Sequence, residues 1–289
     1  MDYRIWYKDG ENINFEGKKI FVKEYPNPEK PIILFSHGFP TSSYDWHKMW
    51  PELHKFFHLI AFDYLGFGYS DKPYPYDYTL EEQADITEYI LYKKGIEECF
   101  VVAHDYAVSV VQELLARRIE NPNLPKFKKI VLLNGGLFPE THQARPIQKI
   151  LLSPVGKWAN MAFGKNAFGK TLRQIFGPST PPKEEEIDAY WTIINHKNGK
   201  RVFHRTINYI NDRKNNRERW VNALIHTDVS IRLVNGPKDP ISGIHMVERY
   251  KELIPNPDCV LLDNIGHYPN LEAPYYVNLE VLKFFQGNN

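Results

Sequence analysis

The sequence predicts an α/β fold, a mostly parallel sheet with helices on both faces, interrupted by a helical insertion. Three observations predict it. Near-continuous apolar runs of strand length alternate with amphipathic helical patterns up to Gly136, the alternation then stops for almost ninety residues, and it resumes with "VSIRLVN". Strands covered on both faces need no polar alternation, and alternating strands and helices imply parallel crossovers.

The elements justify themselves in order. "KKIFVKEY" and "PIILFSHG" read as strands, the second ending at a glycine, and "SSYDWHKMWPELHK" as a short helix. "FHLIAFDYLGFG" is a strand entering a glycine-containing loop. "TLEEQADITEYILYKKG" is a helix with Thr79 at its N-cap and Gly95 past its end. "CFVVAHDYAVSVVQELLARR" passes from strand to helix with almost no loop, and "FKKIVLLNGG" is the next strand. From Leu137 to Leu224 the patterns are helical, with a proline pair in "STPPKEEE" and a basic stretch, "NDRKNNRERW". Both charged runs read as solvated helix faces. "VSIRLVNGPKDP", "GIHMVERYKELI", "CVLLDNIGH" and "YYVNLEVLKFFQ" complete the strand–helix series. The expected division is 1–136 and 225–289 for the sheet-bearing core, with 137–224 as a helical cap.

Composition narrows the function classes. With 36 basic and 35 acidic residues the net charge is +1, so the chain as a whole has no one-sided field for nucleic acid or an anionic membrane. No run approaches the length of an integral membrane segment, and "MDYRIWYKDGENINF" lacks a signal pattern, so a cytoplasmic location is the expectation. Cys99 and Cys259 sit in apolar runs and read as buried thiols. No His/Cys set has ligand spacing, so neither a metal nor another cofactor is expected.

The charged residue at the sharp corner, Asp105, is the anomaly. "Ala103-His104-Asp105-Tyr106-Ala107" fits small-x-nucleophile-x-small, the pattern of a nucleophile lifted above the carboxyl end of a sheet. An aspartate before a helix is also a good N-cap, so the corner alone decides nothing. Its company does. "HGFP" follows a strand and offers the Phe39 N–H as an oxyanion donor, "GPKDP" puts Asp239 after a late strand, and "IGHYP" puts His267 after the last. Nucleophile, acid, histidine is the chain order of a hydrolase triad on an α/β sheet. The other histidines, His37 and His104 among them, are assigned to bonding loop backbone.

A carboxylate nucleophile selects the chemistry. It attacks a saturated carbon to give an alkyl–enzyme ester, which water activated by His267 then hydrolyses, with Asp239 orienting the imidazole. The N–H groups of Phe39 and Tyr106 form the oxyanion hole. The expected partners are a small apolar organic substrate and water.

The strings "SHGFPTSSYDW", "LGFGYSDKP", "HDY", "NGGLFPETH", "FGPSTPP", "INYINDRKNNRERW" and "GHYPNLE" resemble α/β-hydrolases of the epoxide hydrolase and haloalkane dehalogenase group, and more narrowly the mesoderm-specific transcript protein family. The resemblance implies an α/β-hydrolase fold, the triad Asp105, Asp239 and His267, and a cap over 137–224. Epoxide hydrolases of this group use two lid tyrosines to protonate the leaving oxygen. Here the first half of the cap has none, and the second half offers Tyr209 and Tyr190. Haloalkane dehalogenases hold halide with a tryptophan after the nucleophile and often an asparagine in the HG-x-P loop, positions filled here by Tyr106 and Phe39. That tilts the reading toward epoxides, with halides second. A binding module that keeps the triad but turns over slowly is the third reading.

Overall fold

A computed structural model describes residues 1–287. Eight strands form one sheet: β1 (Glu11–Phe15), β2 (Lys18–Tyr25), β3 (Ile32–Ser36), β4 (His58–Phe62), β5 (Glu98–Ala103), β6 (Lys126–Leu132), β7 (Ser230–Asn235) and β8 (Asp258–Leu261). Their order is β1-β2-β4-β3-β5-β6-β7-β8. The β1–β2 and β2–β4 pairs are antiparallel and the rest parallel. The mostly parallel sheet expected from the apolar runs is present. Its central strands are buried along most of their length, and the carboxyl ends of β3, β5, β6 and β7 lie side by side.

Two local differences have physical causes. Strand β1, "ENINF", is polar and on the sheet edge, so it carries no apolar run to announce it; the tight Glu16–Gly17 turn, both residues at positive φ, folds it onto β2. "SSYDWHKMWPELHK" forms a 3-10 turn, Ser43–Trp46, and a separate turn of helix, Trp50–Leu53, because Pro51 has no N–H to carry one helix through.

Between β6 and β7 the regular elements are helical: Pro146–Leu152, Gly156–Ala162, Lys165–Ile175, Glu184–Asn195, Tyr209–Asn215 and Arg217–His226, with shorter turns between them. The last of these lies along helix Tyr106–Glu120. Buried Glu113 is the clasp, accepting from Arg117 Nε at 2.8 Å, Arg219 Nε at 3.0 Å and the indole N–H of Trp220 at 2.7 Å. Glu113→Ala strands the buried indole donor, while Arg117 keeps Asp85 and Glu88 and Arg219 keeps Glu120, and is expected to cost about 1–3 kcal/mol in urea unfolding. A change below about half a kcal/mol would remove the clasp from the account.

The reading of "NDRKNNRERW" as a solvated face needs correction. Asp212, Arg213 and Trp220 are buried against the core, while Asn211 and the side chains between Arg213 and Trp220 reach water. A basic stretch on a helix has two faces, and charge alone does not say which one packs.

Candidate active site

The β5-to-helix corner is built around Asp105, at φ 49° and ψ −103°. A non-glycine residue there is strained by about 1–3 kcal/mol and needs its surroundings to hold it. They do: the Asp105 N–H donates to Asn134 O at 2.8 Å, and Ala103 and Ala107 are fully buried where strand and helix meet. Gly38 completes the fit, since a Cβ there would stand 2.9 Å from Asp105 Cβ and 2.9 Å from His104 Nδ1. The Asp105 carboxylate makes no capping bond to its own helix. Instead Oδ2 accepts from the Phe39 N–H at 2.9 Å. Tyr106 opens the helix, so its N–H has no acceptor within the helix.

Asp239 and His267 arrive from the ends of β7 and β8. His267 Nδ1 lies 2.7 Å from Asp239 Oδ2, and Nε2 faces Asp105 Oδ1 at 3.8 Å, all three side chains being buried. The structure thus brings together the three residues singled out from chain order. Asp239 is saturated with donors: Ile241 N–H to Oδ1 at 2.7 Å, and Ser242 Oγ at 2.7 Å and Asn134 Nδ2 at 2.9 Å to Oδ2. Burial alone would raise its pKa, but the His267 charge and these bonds hold it down at about 2. Burial alone would lower the His267 pKa; Asp239, with Asp105 behind it, outweighs that and raises it to about 9. The resting pair is therefore carboxylate and imidazolium at neutral pH.

The supporting residues divide between foreseen and missed. His37 and His104 do bond loop backbone: His37 Nδ1 meets Gly38 O at 2.8 Å while its Nε2 accepts from the Tyr64 N–H, and His104 Nε2 meets His267 O at 2.8 Å. Burial lowers the His104 pKa to about 4, so it is a neutral strut. Asn134 was not singled out, although a polar residue past the carboxyl end of β6 obeys the same placement rule as Asp105 and Asp239. Arg213 was missed altogether. It is 2% exposed, gives Nη2 to Asp105 O at 2.9 Å and Nε to Ser109 Oγ at 2.7 Å, and stacks over the Tyr209 ring. It makes no ion pair among the described residues, so a buried positive charge braces the corner from behind.

A cavity opens over Asp105 and His267, walled by Phe39, Leu151, Phe168, Leu172, Phe203 and Ile241 among others. Tyr209 does not line it: the ring is buried behind Phe39, against the rings of Phe39 and Tyr106, and its hydroxyl receives a long 3.4 Å bond from Gln148 Nε2. Gln148 lines the cavity, and its Oε1 is engaged by the Arg145 N–H at 2.8 Å, which turns the NH₂ toward Tyr209. Tyr190 stands apart from the cavity lining, buried edge-on against Tyr44. The Tyr106 side chain is buried among Tyr64, Phe67 and Tyr209 and does not line the cavity either.

Residues 31–274 match the family model for the alpha/beta hydrolase fold. The chain belongs to the α/β-hydrolase family. It is 39% identical over 284 residues to the mesoderm-specific transcript protein of Mus musculus, covering 93% of this chain and 83% of that one. It also matches epoxide hydrolase 3 of Mus musculus, at 32% identity over 106 residues, 36% of this chain and 28% of that one. Among solved structures, haloalkane dehalogenase DbeA from Bradyrhizobium elkani superposes with a TM-score of 0.82 at 23% identity, covering 96% of this chain and 97% of that one. At that identity the likeness speaks for the fold.

Proposed function

We propose that this α/β-hydrolase opens a small or medium apolar epoxide through an ester on Asp105, with the helical insertion serving as the cap over the site. The observation that carries the reading is the split environment of one carboxylate. Oδ2 is held by the Phe39 N–H, while Oδ1 faces the imidazole Nε2 across 3.8 Å.

In the first step Oδ1 attacks an epoxide carbon and the C–O bond breaks, leaving an alkoxide that takes a proton. Tyr209 is the donor, its hydroxyl freed to give its own hydrogen because Gln148 supplies the bond it accepts. In the second step water, its proton taken by His267 Nε2, adds to Asp105 Cγ. Charge grows on Oδ2, where the N–H groups of Phe39 and Tyr106 stabilise it. Collapse breaks Cγ–Oδ1, the departing alkoxide takes the proton held on His267 and leaves as a diol, and the new carboxyl gives its proton back to His267. The raised His267 pKa fits this order. An imidazolium beside free Asp105 cannot act as base, but esterification removes the Asp105 charge and so one of the causes of the rise. The proton affinity of His267 drops when a base is needed, and the proton it sheds replaces the one Tyr209 gave up in the first step.

The epoxide reading is favoured over the halide reading because Phe39 offers no side-chain donor to a halide, whereas Tyr209, though itself outside the lining as Tyr106 is, has its hydroxyl bonded to the cavity-lining Gln148. The test is to trap the ester. His267→Gln incubated with apolar epoxides and, separately, alkyl halides is expected to gain the mass of the opened epoxide on the peptide carrying Asp105. An adduct from halides alone would reassign the leaving group. No adduct from either would leave the triad as a relic in a binding module.

A further inference from the structure

We infer that the outer face of the cap segment 141–182 docks on an anionic phospholipid bilayer, so that bilayer-dissolved apolar electrophiles are the substrate class reaching Asp105. The substrate half rests on the hydrolase reading above; the docking half does not.

The first observation is an inverted helix. In Gly156–Ala162 the buried positions are Gly156 and Asn160, while Val155 at its N-cap, Trp158 and Met161 are 57%, 65% and 70% exposed. Ile150, from the preceding helix, adds a 43% exposed side chain. A helix on a water-facing surface turns its apolar stripe inward. This one turns it outward, and carries a tryptophan and a methionine at its centre, as helices lying in a membrane interface do.

The second observation is charge. From Thr141 to Pro182 there are six Lys and Arg residues and no Asp or Glu. The near-zero net charge of the whole chain hides this segregation. Lys165 and Arg173 are paired with Asp188 and Glu184, but Lys149, Lys157 and Lys170 are exposed and make no ion pair among the described residues. Beside Met161 a cleft is lined by Tyr74, Lys157, Lys200, Arg201 and His204, with no carboxylate in its wall. Cationic side chains flanking an apolar face match phosphate headgroups above acyl chains, with each cation near an anionic surface adding to the attraction.

The third observation is continuity. The inner side of this same segment supplies Ile147, Gln148, Leu151, Phe163, Phe168 and Leu172 to the cavity above Asp105. One stretch of chain is thus apolar toward the site and apolar-plus-basic toward the outside.

The experiment is vesicle flotation of the full chain with phosphatidylcholine alone and with phosphatidylcholine–phosphatidylserine, at low and raised salt, reading binding without turnover. Binding is expected with phosphatidylserine, weakening as salt rises, with little to phosphatidylcholine alone. Trp158→Ala with Met161→Ala is expected to weaken it about a hundredfold, the scale of two side chains no longer buried in the interface. Lys149→Glu with Lys157→Glu is expected to do at least as much and to flatten the salt dependence. All four side chains are exposed and outside the cavity, so the variants should unfold like the parent, which a urea transition checks. No binding to phosphatidylserine vesicles overturns the inference. So does binding that survives loss of Trp158 and Met161 while falling with the lysines, since that is polyanion attraction without seating, and so does displacement by inorganic phosphate alone. An Asp105 adduct in the trapping experiment with no vesicle binding would sink the docking and leave the hydrolase standing.

Discussion

Asp105→Asn is expected to abolish turnover, by about ten-thousand-fold or more, in a protein that still folds. The amide is nearly isosteric. Its oxygen can keep the Phe39 N–H bond at the Oδ2 position, and the backbone corner, with its Asn134 and Arg213 contacts, does not involve the side chain. What disappears is the carboxylate charge that the proposed attack on carbon requires. The variant also removes one of the causes that raise the His267 pKa, so that imidazole should titrate below the parent value of about 9. Single-turnover hydrolysis, the urea transition and the His267 ring titration followed by NMR separate the outcomes. A folded variant with undiminished turnover would refute the nucleophile. A variant that failed to fold would make Asp105 a strut for the corner instead.

Much of this site was legible because its residues stand at places the chain must punctuate. A strand buried on both faces shows as an apolar run, and whatever polar residue follows it sits at the carboxyl edge of the sheet, where Asp105, Asp239 and His267 lie. Small neighbours around a corner acid are also visible, because backbone contact forbids anything larger. Support from behind was not legible. Arg213 looks like its solvated neighbours in "NDRKNNRERW", and only tertiary packing tells that it turns inward to Asp105 O. Gln148 sits in a helix whose cavity-facing side depends on how the helical insertion packs, and the phase of a seven-residue helix is poorly fixed by its own pattern. Tyr190 and Tyr209 were named together because both lie in the second half of the helical insertion. The fold separates them, one beside Phe39 and the other against Tyr44. The inverted helix was hidden for the opposite reason, since "VGKWANMAF" reads as an ordinary amphipathic turn until its direction is known.

Asp239→Asn should cost almost as much as loss of the nucleophile, on the order of a thousand- to ten-thousand-fold in turnover. Ser242 and Asn134 already donate to Oδ2, the oxygen that also meets His267 Nδ1. An amide NH₂ turned to that position would face three donors, and an amide oxygen there would keep the bonds but lose the charge. Either way burial acts on His267 with far less to oppose it, and its pKa should fall from about 9 toward or below its ordinary value. The linkage then gives a signed stability profile. A histidine raised on folding contributes fully below its unfolded pKa of about 6.5, and that contribution is lost as pH climbs through about 9. A carboxylate lowered on folding contributes fully above about 4 and loses its share as pH drops through about 2. The parent should therefore be most stable across the window between those arms, whereas Asp239→Asn should have lost the His267 share of the alkaline decline and the Asp239 share of the acid decline. Urea midpoints across pH, with the His267 ring shift alongside, test both arms. An unchanged His267 titration in the variant would mean that Asp239 does not set the charge on the imidazole, and the coupling between ester formation and base release would go with it.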